Sequence, residues 1–460
     1  MGVQEVSPVT ESLGSRFLYG YIRRKDMQLR MRMASIGAVA VLVAACGGSA
    51  STTAPGASTG TAAPPAASVP VASAPTVVAA TSITEWDYQS ADPQKTQWQK
   101  VLDECTATTG VTIQRQAIPR DELINKVLLA AQNKQLPNVL RIDNPDLQQI
   151  ADTGALAPLT DYGVDLTGLY KNLIDAGTYK GKVYGIAPGI NGMALFYNKD
   201  MFTAAGLKPP TTWAELTADA KALTKNGVYG MAFSAPATEE GSWQFEPWLW
   251  GAGGDLSKLD SPEAVKALQF WTDLVKSGSA SKSVVQWTQG DVNDQFLAGK
   301  AAMQQNGVWN LSALEKSKIN FGIVPIPAPD GGAAPGPMGG EVLTIPVNTD
   351  AAASAAAGKV VNCLLSDKEM AEWATLQAYI PSRETVAAQA AAADPNMAPF
   401  VTAAAAERSR TGPPANLGPN YSKVSQPLWT AIQAALSGAK SPQDALTAAQ
   451  KAAAAALAGS

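Results

Sequence analysis

The 460-residue sequence contains no histidine at all. That excludes imidazole metal sites, Ser-His-Asp triads and Cys-His nucleophile pairs in their usual forms. Cysteine is almost missing as well: Cys46, Cys105 and Cys363 are the whole supply. Charge is sparse at 16% of residues, and the stretch from Gly47 to Ala80 carries none. The uncharged apolar run from Met33 to Ala45 is too short for a bilayer core of about 30 Å. Basic residues are the minority. Without residues 1–45, which hold six Lys/Arg and three Asp/Glu, 29 basic groups face 36 acidic ones, a net charge of about −7. Nucleic acid is therefore not an expected partner.

What is present begins with an address. Arg23, Arg24, Lys25, Arg30 and Arg32 precede the short apolar run, as in a secretory signal segment, and Met27, Met31 and Met33 are alternative start positions. The run ends in Val43-Ala44-Ala45-Cys46-Gly47, which resembles the bacterial lipobox, where cleavage leaves the cysteine to carry lipid. Residues 1–46 read as an N-terminal extension and lipoprotein signal peptide. Residues 47–80, nearly all Gly, Ala, Ser, Thr, Pro and Val, read as a disordered linker that reaches about 30 Å on average. Such a leash keeps a domain near a membrane and lets it turn. In an exported protein Cys105 and Cys363 form a disulfide or remain two buried thiols.

From Ser82 the apolar pattern switches between periods of two and of 3.6 residues. Strand Ser82 to Trp86, a helix from Trp98 to Cys105, strand Val111 to Ile113, a helix from Asp121 to Lys134 and strand Val139 to Ile142 give the order β-α-β-α-β. That alternation predicts a parallel α/β sheet with right-handed crossovers. Ligands of such sheets bind beyond the carboxyl ends of the strands, where Asp87, Tyr88, Gln89, Asp143 and Asn144 fall. Asp143-Asn144-Pro145 suits an Asx turn or helix cap equally well.

Further on, Val183 to Ala187 and Met193 to Tyr197 are strand-like runs broken by Pro188-Gly189, and Thr212 with Glu215 reads as a capping box. Glu239 to Trp243 reads as a loop, and Trp243, Trp248 and Trp250 crowd the residues after it. A helix opening at Ser261-Pro262 sets Val265, Leu268, Trp271 and Val275 on one side. Eleven tryptophans exceed what one core of this size needs, so some are expected to face a ligand while the others pack.

Several of these elements together resemble the extracellular solute-binding proteins of ABC importers, in the carbohydrate-binding group that includes maltose-binding protein. The resemblance rests on Tyr179-Lys-Gly-Lys-Val-Tyr-Gly with Ala194-Leu-Phe-Tyr-Asn-Lys-Asp200, Pro-Thr-Thr-Trp-Ala-Glu215, Phe296 to Met303 with Gly307-Val308-Trp309, and Gly339-Gly340, over roughly Thr81 to Ser460. It implies a two-lobe α/β fold of the type II periplasmic-binding-protein class, with the ligand between lobes joined by hinge crossings near 188–191, 335–339 and 380–382. Residues 81–189 and 340–381 are expected in the N-terminal lobe, and 190–339 and 382–460 in the C-terminal lobe. It also implies a monomeric, lipid-anchored binding protein, not an enzyme, that uses no cofactor or metal and delivers a mono- or oligosaccharide to membrane permease subunits.

The same resemblance places Trp309, Trp243 and Trp429 at sugar-stacking positions, and Asn191 at a polar position on the first crossing where maltose-binding protein has a carboxylate. A sugar offers apolar C–H faces and a ring of hydroxyls, so flat aromatics with Asp, Asn or Arg are the matching chemistry. Asp87, Asp143, Asn306, Glu341 and Arg383 supply it at loop positions, with Gly340 beside Glu341. Glu341 and Arg383 would equally suit a structural salt bridge near a hinge. Two other readings stand: a glycerol-phosphate ester with Arg383 on the phosphate, and a secreted glycoside hydrolase using two of Glu240, Glu246, Asp255 and Glu341.

Overall fold

Strand Ser82–Asp87 buries Ile83, Glu85 and Asp87 in period-two alternation. It belongs to a computed structural model that describes residues 80–459; the signal segment, Cys46 and the linker as far as residue 79 lie outside the described residues. Helix Gln94–Thr109, strand Thr112–Ala117, helix Arg120–Gln132 and strand Val139–Asp143 follow, which is the β-α-β-α-β order expected. The strands are parallel, with Ser82–Asp87 between the other two. Strand Glu341–Pro346 returns from far along the chain and lies antiparallel on Val139–Asp143, which sets Glu341 opposite Asp143. Short strands Leu156–Ala157 and Gly185–Ile186 both pair with it.

A second sheet runs in the order Tyr229–Ala232, Ala301–Gly307, Met193–Asn198, Phe321–Val324, and only its first pair is parallel. Side chains of Met193–Asn198 alternate between two cores. Ala194 and Phe196 join the cluster that also packs the first sheet, and Met193 and Leu195 join the one around Trp213, Trp248 and Trp271. The chain passes between the sheets at 187–192 and again at 325–340. At the first passage Gly189–Ile190 pairs with Ile380–Pro381. Gly340, at φ +110, packs so closely that a Cβ would stand 2.5 Å from the Gly189 carbonyl oxygen, so only glycine serves there.

Three local expectations change. Residues 239–243 form the first turns of helix Glu239–Gly251 and not a loop. Thr238 is extended ahead of it, and Glu239 and Glu240 complement the positive end of the helix dipole. The run Val183 to Ala187 divides into Lys182–Val183, which hairpins back on Thr178–Tyr179, and Gly185–Ile186. The box at Thr212 is also redirected. Thr212 accepts from the Glu215 N–H at 3.1 Å, but the Glu215 carboxylate bonds the N–H and hydroxyl of Thr211.

Cys105 and Cys363 are bonded to each other, joining helix Gln94–Thr109 to helix Ala351–Leu364 across 258 residues. Most tryptophan goes into packing: Trp98, Trp248, Trp271 and Trp373 are completely enclosed. Among the described residues no helix is long and apolar enough to cross a membrane.

Candidate functional site

The two passages, strand Ile380–Pro381 beside the first of them, and the neighbouring sheet ends surround a cavity of about 180 Å³. Its walls come from both sides of the fold. Tyr88 and Gln89 follow the first strand, Asp143 ends the third and Glu341 begins its antiparallel neighbour. Glu239, Glu240 and Trp243 come from the first turns of helix Glu239–Gly251, Gln289 from a helix start, and Trp309 from the turn after Ala301–Gly307. Asn191 and Gly339 come from the two passages, and Tyr379 from just before strand Ile380–Pro381. A larger groove of about 500 Å³ between helices Tyr421–Leu436 and Pro442–Ala458 is lined chiefly by alanine and lacks aromatic walls.

Glu341 is the hub of one half of the site. Its Oε1 accepts from the Tyr88 hydroxyl at 2.7 Å, the Gln89 amide at 3.1 Å and the Tyr379 hydroxyl at 3.3 Å; its Oε2 accepts from Arg141 at 2.8 Å. Asn191 donates to Tyr379 at 3.2 Å. Arg141 is buried, with its guanidinium 4.0 Å from the Trp98 ring centre and 5.0 Å from that of Trp373. Burial, then the Glu341 charge, pushes the phenols of Tyr88 and Tyr379 above their ordinary value, so both stay hydrogen-bond donors.

The other half is a charge ladder. Asp143 takes Arg120 on one oxygen at 2.5 Å and Arg410 on the other at 3.5 Å. Burial opposes its ionisation, but Arg120 and Arg410 outweigh that and hold its carboxyl below the usual range. Arg410 also bonds Glu239 at 3.1 Å, and Tyr421 donates to Glu239 and, at 2.9 Å, to the buried Glu246. Burial raises Glu239 and Glu240, partly offset by Arg410 for the first and by the Gln289 N–H for the second.

The aromatic surfaces depend on glycine. A Cβ on Gly307 would stand 2.0 Å from the Trp309 ring, and one on Gly339 would stand 1.8 Å from Asn191 Oδ1 and 2.4 Å from the Trp243 ring. The Gly339-Gly340 pair thus lets Trp243 and Asn191 close on the second passage.

Of the residues expected at the site, Tyr88, Asp143, Asn191, Trp243, Trp309 and Glu341 line the cavity. The others stand elsewhere. Asp87 is buried against Arg115 at 2.7 Å and caps its own loop through the Gln89 N–H. Asn144 is buried behind Asp143. Asn306 is buried too, and its amide holds the Gln289 carbonyl at 2.9 Å, so it supports a wall residue. Gly340 fills the close approach to Gly189. Arg383 is turned to Asp367 at 2.8 Å and to the Thr167 carbonyl, so the salt bridge weighed between Glu341 and Arg383 is not formed; Arg141 takes that place. Trp429 sits half-buried on helix Tyr421–Leu436, outside the lining.

The family model of the bacterial extracellular solute-binding proteins fits residues 100–399. The chain belongs to that family. A solute-binding protein of Arthrobacter globiformis, solved as a cyclic α-maltosyl-1,6-maltose binding protein, is 28% identical, with a TM-score of 0.70 over 82% of this chain and 99% of its own. A maltose-bound protein of T. maritima is 25% identical, with a TM-score of 0.72 and coverage of 82% and 99%. The maltotriose-binding protein of Pyrococcus abyssi is 26% identical over 222 residues, 45% of this chain and 46% of that one. The chain spans about half the length of the curated relatives it matches. These solute-binding proteins share the two-lobe type II fold expected here, and they are binding proteins and not enzymes.

The residues that the sequence patterns did not single out are Gln94, Arg120, Gln289, Gln377, Tyr379 and Arg410, with Glu239 and Glu240 read as loop. Arg120 carried a signal, since it opens a helix directly after a strand end. Arg410 carried none: it lies in an irregular stretch that only the folded chain returns to the cleft.

Proposed function

We propose that this solute-binding protein captures a neutral carbohydrate between its lobes and delivers it to the permease of an ABC importer, held at the outer face of the bacterial cell membrane by lipid on Cys46. The observation that carries this reading is the pairing of Trp243 and Trp309 with a polar rim in one cavity. Two flat apolar surfaces suit sugar C–H faces, and Asn191, Gln89, Gln289 and the carboxylates suit hydroxyls. Asp143 and Glu341 are already ion-paired, so the rim offers acceptors without demanding a charged ligand. The binding of malto-oligosaccharides by the relatives above favours an α-glucoside.

The cavity is smaller than the roughly 300–1,000 Å³ of drug-sized sites, which favours a short saccharide. The phosphate-ester reading loses the cation it named, because Arg383 is engaged by Asp367 away from the cavity, and the lining arginines Arg120 and Arg410 are already paired with Asp143 and Glu239. For the hydrolase reading, Glu246 and Asp255 do not line the cavity, and Glu341 is held by four donors. Calorimetry against glucose, maltose, maltotriose, cyclic maltosyl-maltose and a glycerophosphodiester tests the reading. One tight saccharide is expected, together with a change in tryptophan fluorescence on closure. Saturable binding of the phosphodiester alone would reject it.

A further inference from the structure

Arg410 sits at an unusual mechanical position. The stretch that carries it runs beside the second passage: the Arg408 N–H donates to the Gly336 carbonyl at 2.9 Å, and the Met338 N–H to the Arg408 carbonyl at 2.8 Å. Glu407, just before, lies under the first passage, where a Cβ on Gly192 would stand 2.2 Å from its carboxyl oxygen. The arginine is therefore mounted on the hinge itself. Its side chain is 2% exposed and reaches to both sides, taking Asp143 at the end of the first sheet's third strand and Glu239 at the start of a helix in the second core. The guanidinium also lies 4.6 Å from the centre of the Trp243 ring, one of the aromatic walls.

The charges balance as a set. Arg120 and Arg410 face Asp143 and Glu239, two of each sign, with Arg120 and Asp143 on the first-sheet side and Glu239 on the second. Rotation about the passages cannot keep both of Arg410's contacts, since its two partners move apart as the lobes separate. A planar guanidinium can hold two carboxylates at once, whereas a lysine ammonium acts as a point charge.

We propose that Arg410 is a positioning residue that ties the two lobes together across the cleft floor and biases the ligand-free protein toward closure. The tie depends on the two-lobe fold and not on which solute is bound. It makes closure partly intrinsic, so that ligand shifts a balance already leaning toward the closed form and needs less differential affinity to complete it. It also sets the Trp243 face before any ligand arrives.

The test is small-angle scattering of the ligand-free protein. Wild type, Arg410→Met, Arg410→Lys and Glu239→Gln are compared, with thermal melts to establish that each is folded. The expected result is a larger radius of gyration for Arg410→Met and for Glu239→Gln, with Arg410→Lys between them and wild type. A closed fraction at least tenfold smaller in Arg410→Met is expected, and the graded rescue by lysine separates a tie from general packing. Equal radii for wild type and every folded variant would overturn the proposal. Should Arg410→Met fail to fold, Glu239→Gln, which leaves the Arg410–Trp243 stack in place, decides alone. The same proteins titrated with maltose keep the two readings apart. An altered radius without any sugar binding leaves the tie standing and the carbohydrate reading in doubt; sugar binding with unaltered radii does the reverse.

Discussion

The Asn191 amide donates to the Tyr379 hydroxyl at 3.2 Å, and that hydroxyl donates in turn to Glu341 at 3.3 Å. One oxygen therefore joins the first passage, the residue before strand Ile380–Pro381 and the start of strand Glu341–Pro346. Tyr379→Phe deletes both bonds while Glu341 keeps Tyr88, Gln89 and Arg141. We expect about 1–2 kcal/mol less stability in urea unfolding and saccharide binding weakened by roughly five- to tenfold, because Asn191 loses its fixed orientation. Unchanged values in both measurements would make the hydroxyl idle.

Glu341→Gln is a harsher change. It leaves Arg141, 1% exposed and flanked by Trp98 and Trp373, without its carboxylate. Removing one partner of a buried ion pair costs about 3–5 kcal/mol, since the other charge stays enclosed. Equilibrium unfolding should show that loss, and replacing Arg141 by Met in the same chain should recover part of it.

Residue order made the first sheet and the passages readable, because strands and helices alternate there and Pro or Gly marks each passage. It made only part of the site readable. Tyr88, Asp143 and Glu341 were found as polar residues at strand ends, where the α/β architecture puts ligands. Asp87 and Asn306 have the same chemistry at similar positions, yet both are buried and bonded within the protein. Which way a strand-end side chain points depends on register, and register comes from the partner strand, not from the residue. Helix Glu239–Gly251 was hidden for another reason: Gly241, Ser242 and Pro247 interrupt helical propensity, and tertiary packing of ten buried residues overrides it. Arg410 was out of reach because its partners lie 171 and 267 residues away.

Gly339→Ala separates shape from stability. The added methyl meets Asn191 Oδ1 and the Trp243 ring well inside contact distance, so both walls must retreat. Calorimetry should give at least a tenfold loss of saccharide affinity, comparable with Trp309→Ala, while the urea midpoint moves far less than for Glu341→Gln. Wild-type affinity in Gly339→Ala would remove Trp243 from the binding surface.

The Cys105–Cys363 bond closes a loop of 258 residues between two helices of the first core. In the chain-entropy account a loop that long contributes about 5 kcal/mol by restricting the unfolded chain. Cys105→Ala with Cys363→Ala should therefore lower the melting temperature by several degrees and leave saccharide affinity nearly unchanged, because helix Gln94–Thr109 reaches the cavity only through its first residue, Gln94, far from Cys105, and helix Ala351–Leu364 does not line it. A large affinity loss without a melting shift would contradict this.

The pH dependence of stability has a definite sign. Burial, then the charges of Asp143 and Glu239, raises Asp146 to about 7 against the opposing pull of Arg120 and Arg410, and burial with Glu215 raises Asp219 to about 6. Glu239 and Glu246 shift the same way, burial being the main cause for each. For these groups the native protein holds protons that the unfolded chain has released above its ordinary carboxyl value near 4. Stability must then fall as pH rises from about 4, and for Asp146 and Asp219 that fall runs to about 7. Asp143 acts oppositely, with its lowered carboxyl contributing stability that is lost only on further acidification. The urea midpoint should thus peak at about pH 4 and decline as pH rises through about 7. Asp146→Asn should flatten the decline and raise stability at the alkaline end. A midpoint that climbs across that window in the wild type, or an Asp146→Asn profile with the wild-type slope, would show that Asp146 ionises freely in the folded protein.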